Sequence, residues 1–70
     1  MNKVYKIRNK EGLFSTGGMY PSFTTRGKAW GACCDVMNHL SIVNKNRYKG
    51  CILMEFSEIG LKEYPLSDKT

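Results

Sequence analysis

Only one stretch of this 70-residue chain repeats its apolar side chains at helical spacing, and segments that alternate with the period of a strand flank it on both sides. Trp30, Cys33, Cys34, Met37 and Leu40 recur at three- and four-residue intervals, which predicts a helix from about Arg26 to Leu40 with Thr24 or Thr25 as its N-cap. Gly27 and Gly31 would then lie inside its first turns at a cost of about 1 kcal/mol each. Close packing of the helix backbone against a neighbouring hairpin is the expected compensation.

Before the helix, Val4–Arg8 places Tyr5 and Ile7 on one side of an extended chain, with Lys6 and Arg8 beside Val4 on the other. Asn9-Lys10-Glu11-Gly12 reads as a turn, and Leu13–Thr16 resumes the extended pattern, so these residues form a hairpin. Met19–Phe23 reads as an irregular connector, because Pro21 disfavours helix at Tyr20. After the helix comes a polar loop, Asn44–Gly50, and then the most hydrophobic segment, Cys51–Ser57, as a third strand. Leu61–Leu66 is a candidate short edge strand limited by Pro65.

The fold class this predicts is a small α+β domain in β-β-α-β order, one helix packed on a three-stranded antiparallel or mixed sheet, with the strands in spatial order 2-1-3. Residues 1–66 form the expected single domain and residues 67–70 a frayed tail. A chain this short buries only about 60% of its unfolded surface, which makes the core marginal.

Composition narrows the function classes. The longest apolar run, Cys51–Met54, is far below the roughly 20 residues of a membrane span, and no secretory signal pattern follows the basic N-terminus. The expected location is cytoplasmic, with no membrane partner. Cys33, Cys34 and Cys51 cannot close a disulfide framework. A zinc site with His39 lacks C-x2-C spacing, and adjacent helical residues diverge by about 100°. No metal or other cofactor is expected, and two of the three thiols are read as small buried hydrophobes. Ser15 and Thr16 beside Gly17-Gly18 match no phosphate loop, and His39 has no acidic partner for nucleophilic catalysis, so no catalytic residue and no enzyme activity are expected. His39 is expected to face solvent or the helix dipole.

Charge is the informative feature. Residues 1–50 hold nine Lys or Arg against Glu11 and Asp35, whereas residues 51–70 hold two against four acids. Lys6 and Arg8 lie on the solvent side of the first strand, Arg26 and Lys28 at the expected helix start, and Lys45, Arg47 and Lys49 with Tyr48 in one loop. If these groups converge they form a partner-binding surface for an acidic protein or a phosphate backbone.

The segments Tyr5–Lys10 (containing K-I-R-N-K), Gly12–Gly18 (G-L-F-S-x-G-G), Phe23, Gly27–Trp30 (G-K-x-W) and Asn38–Leu40 resemble small accessory proteins carried by tailed bacteriophages, over roughly the first 40 residues. That resemblance implies a non-enzymatic protein that binds a host bacterial macromolecule, most readily a protein, in the infected cell and inhibits or redirects it, for host takeover or against host defence. The alternative is a small basic RNA- or DNA-binding regulator, and a homo-oligomer is compatible with either. The first hairpin also resembles that of GIY-YIG nucleases. Phe14-Ser15-Thr16-Gly17 departs from their second motif, however, and no catalytic arginine and glutamate pair follows.

Overall fold

The register of the central strand pair sets the architecture. In the computed structural model, which describes residues 2–20, 22–43 and 45–66 with the side chains of 45 and 46 excepted, β1 (Val4–Arg8) runs antiparallel to β4 (Cys51–Ser57). Tyr5 lies opposite Glu55 and Ile7 opposite Leu53, and between them Lys6 lies opposite Met54 and Arg8 opposite Ile52. Alternation along each strand therefore sends Tyr5, Ile7, Leu53 and Cys51 to one face and Val4, Lys6, Arg8, Ile52, Met54 and Phe56 to the other.

The first face is the core. Val36, in the first turn of α1 (Cys33–Ile42), and Val43, its C-cap, pack there with Tyr5, Ile7, Trp30, Tyr48, Cys51 and Leu53. Phe23, Leu40 and Leu66 close its edges. A 3-10 turn, Lys45–Tyr48, returns the chain from α1 to β4 and delivers Tyr48 into this core.

The expected helix-on-sheet class holds, but the strand count does not. The sheet has five strands in the order β3-β2-β1-β4-β5, all antiparallel. The three expected strands sit side by side as β2-β1-β4, with β2 at Phe14–Ser15. Two outer strands flank them. β3 (Phe23–Thr24), within the expected connector, pairs Ser15 with Phe23, and β5 (Gly60–Leu66) pairs with the whole of β4 through a short hairpin. Two residues are too few for an alternating pattern, so β3 leaves no signal in the sequence. Pro65 fits β5 because that strand is outermost, where a missing N–H need not break a ladder.

The helix is the second correction. It begins at Cys33, with Ala32 at the N-cap and no side-chain cap, seven residues after the expected start. The segment before it is extended: Trp30 exchanges both backbone hydrogen bonds with Tyr5 at 2.8 Å, and the Lys28 amide donates to the Ser15 carbonyl. These bonds complete the free edge of β1, which β2 covers only at Arg8. Thr24 does cap, but a turn: its hydroxyl accepts from the Gly27 amide at 2.8 Å. Arg26 and Lys28 consequently stand in this extended arm and not at a helix start. The buried face of α1 is Val36, Leu40 and Val43, while Cys33, Cys34 and Met37 are exposed, so of the three thiols only Cys51 is buried.

The expected tail, 67–70, lies outside the described residues. Among the described residues no helix is long and apolar enough to cross a membrane.

Candidate functional site

Among the described residues no helix lies over the second face of the sheet. Its residues run in rows across the strands: Val4, Phe56 and Leu61; then Lys6, Met54 and Glu63; then Phe14, Arg8, Ile52 and Pro65. Met54 is only 4% exposed although no second layer lies over it. The explanation is a strut of charge. The Arg8 guanidinium reaches Glu63 at 3.8 Å, so the pair crosses β4 on the Met54 side, with Lys6 flanking Met54 from β1. The aliphatic stems of these long side chains cover what a helix would otherwise cover.

Lys6 is held in place. Its ammonium donates to the Arg26 carbonyl at 2.9 Å and lies 4.9 Å above the centre of the Phe14 ring. Beyond Arg8, the β1–β2 turn is built by Asn9, whose Oδ1 accepts from the amides of Glu11 and Leu13, both at 2.9 Å. Lys10 leaves this turn and lies against Gly50: a Cβ on Gly50 would come within 2.8 Å of the Lys10 Cε. Two adjoining hollows result. Arg8, Lys10 and Gly50 line one, and Lys10, Arg47, Lys49 and Phe23 line the other. The Arg47 guanidinium stands 5.2 Å over the ring of Tyr20, a side chain 81% exposed.

The structure thus joins two of the three expected basic groups. Lys6 and Arg8 continue into Arg47 and Lys49 through Lys10, a residue that turn chemistry alone had assigned only a loop role. Parity along β1 stops at Arg8 and could not have placed Lys10, which stands in the turn beyond it. Lys28 stands apart on the helix side, its ammonium 5.7 Å over Trp30, and Arg26 contributes its carbonyl to Lys6. The side chain of Lys45 lies outside the described residues. Tyr48, expected among the contact residues, is 3% exposed and belongs to the core: its hydroxyl needs a buried polar partner and finds two.

Those partners are Ser15, whose Oγ lies 2.6 Å from the Tyr48 hydroxyl, and His39, whose Nε2 bonds the same hydroxyl. The Gly17 amide donates to Ser15 Oγ at 3.1 Å. One direction satisfies every proton: Gly17 N–H to Ser15, Ser15 to Tyr48, Tyr48 to a neutral Nε2 of His39. Ser15 is fully buried, and its hydroxyl is taken up within this row of hydrogen bonds. His39 is correspondingly part-buried between Trp30 and Tyr48 and not a free surface group.

Desolvation, and then the Lys28 charge, hold the His39 pKa below its ordinary 6.5. Its folded value is therefore lower than its unfolded one, and the unfolded chain takes up the proton first as pH falls. The expected result is full stability from this group above about pH 6.5, declining below it and levelling off once the folded imidazole also titrates. Urea midpoints between pH 7.5 and 5 check this, and Lys28→Gln reduces the decline.

On the helix side, Glu55 is buried and paired with Lys3 at 3.3 Å, with the Tyr64 hydroxyl at 3.4 Å. Among the described residues no three His, Cys, Asp or Glu side chains gather as metal ligands. Compared with known families, curated proteins and solved structures, the chain matches no family model, no curated protein and no solved structure.

Proposed function

We propose that the chain is a non-enzymatic binding protein that occupies a host bacterial macromolecule and so inhibits or redirects it, with the helix-free sheet face as its contact surface. The observation that carries this reading is the composition of that face: Val4 and Leu61 are exposed and Phe56 part-exposed, next to Lys6 and Arg8. A sheet face left to water is ordinarily polar. An apolar patch with cations beside it is the anatomy of a recognition surface, in which apolar anchors exclude water and charges steer the encounter. A domain of this size has room for the roughly 800 Å² per partner of a standard interface.

The mechanism is steric: a partner held on this face has that part of its own surface covered. The host setting, the cytoplasm of an infected bacterial cell, rests on the resemblance of K-I-R-N-K and G-L-F-S-x-G-G to phage accessory proteins.

The expected result of Lys6→Glu combined with Arg8→Glu is at least a tenfold loss of partner capture from bacterial lysate, with an unchanged circular dichroism spectrum. Undiminished capture by that variant moves the interface away from this face.

A further inference from the structure

We infer that the β1–β2 turn end of the sheet is a binding site for the phosphate backbone of single-stranded nucleic acid. This deepens the reading above by naming the partner's chemistry. Four cations, Arg8, Lys10, Arg47 and Lys49, line two adjoining hollows in which Glu11 is the only acidic side chain among the described residues, Arg8 also pairing with Glu63 across β4. Both hollows share Lys10, so they are one continuous basic surface.

The cations follow one another around the turn end of the sheet. Lys6 and Arg8 project from alternate positions of β1, a step of about 6.8 Å along the extended strand, and Lys10 follows from the turn just beyond it. Arg47 and Lys49 extend the series past Gly50. A succession of cations matches a ligand whose anions also come in succession, as the phosphates of a single strand do.

Aromatic rings stand beside these cations. Phe14 lies beneath Lys6, and Tyr20, largely exposed, lies beneath Arg47. Rings interleaved with cations are what unpaired bases stack upon, with no sequence preference required. A protein partner is better served by the helix-free face at the other end of β1, where Val4, Phe56 and Leu61 meet. Duplex is disfavoured because α1, the one α-helix among the described residues, carries no Lys or Arg to enter a groove or follow its phosphates.

The test is fluorescence anisotropy with labelled 15-nucleotide dT and U strands and a 15-base-pair duplex. Three or four phosphate contacts on single strands give an expected 20- to 50-fold loss of affinity, roughly, between 50 and 200 mM salt. Lys10→Glu with Arg47→Glu, both exposed positions, is expected to weaken binding at least tenfold and to flatten the salt slope by about 1.4. Tyr20→Ala is expected to weaken binding about fivefold or more while leaving the salt slope unchanged, the signature of lost stacking.

No strand binding at 50 mM salt overturns the inference, as does tighter binding to duplex, or strand binding that the Lys10 and Arg47 changes leave intact. If strand binding is absent yet nuclease-treated lysate yields a partner protein whose capture Leu61→Asp abolishes, the contact face stands and its nucleic-acid assignment falls. If neither strand nor protein is held, both fall.

Discussion

Replacing Trp30 by alanine is expected to destabilise the domain by about 3–5 kcal/mol, the usual loss for a buried tryptophan or phenylalanine. For a chain of this length the total stability is on the order of 4–10 kcal/mol, so the variant sits close to its unfolding threshold at room temperature. Trp30 has this weight because it belongs to no regular element yet joins three. Its backbone pairs with Tyr5 on β1, its ring packs 5.2 Å from the His39 ring on α1, and it is a member of the core that includes Tyr48 from the 3-10 turn. Truncation leaves the backbone bridge in place but opens a void under the helix and lets water reach the Ser15–Tyr48–His39 chain. Urea unfolding followed by circular dichroism measures the loss, since the variant has no tryptophan left to report fluorescence. Trp30→Phe keeps part of the volume and is expected to recover at least half of it. A midpoint for Trp30→Ala within about 0.5 kcal/mol of the parent would show that the ring is not a core element.

What could be read from the sequence divides along physical lines. A strand with one polar side was legible, since Val4–Arg8 declared its buried side through Tyr5 and Ile7, whereas Cys51–Ser57 declared itself a strand through its hydrophobicity but, apolar on both sides, did not say that Leu53 and Cys51 face the core. The helix was legible in existence but not in phase. Trp30 and the cysteines at 33 and 34 mimic an apolar stripe, yet Trp30 is buried from an extended arm and the cysteines face water. The true stripe, Val36, Leu40 and Val43, keeps the same spacing but shares only Leu40 with the expected one. The cost assigned to glycines in a helical first turn was the warning sign, and the compensation expected from close packing is instead an escape from helix altogether.

The basic surface was half legible for a related reason. Parity along a strand fixes the face of Lys6 and Arg8, whereas nothing in a loop's composition says whether Tyr48 turns inward or Lys10 outward. Those choices depend on partners far away in sequence, Ser15 and His39 for one and Gly50 for the other.

The sharpest separation of the two glycines comes from giving each a methyl group. Gly27 has φ +65°, and a Cβ there would lie 2.4 Å from the Phe14 Cβ and 2.9 Å from both its carbonyl carbon and oxygen. The left-handed conformation alone costs an L-residue about 1–2 kcal/mol, and overpacking against backbone, which cannot swing aside, adds roughly 1–3. Gly27→Ala is therefore expected to lose about 2–5 kcal/mol, and to loosen the arm whose Lys28 amide holds Ser15 and whose Trp30 holds Tyr5. Gly31 has no positive φ and nothing within 4 Å of the same added atom. Gly31→Ala is expected to be neutral or to gain up to about 1 kcal/mol by restricting the unfolded chain. Urea midpoints of the two variants, with hydrogen exchange at the Tyr5 and Trp30 amides, make the comparison. Were both residues inside a helix, alanine would stabilise both; opposite signs at positions only four residues apart require the turn, the extended arm and the later helix start.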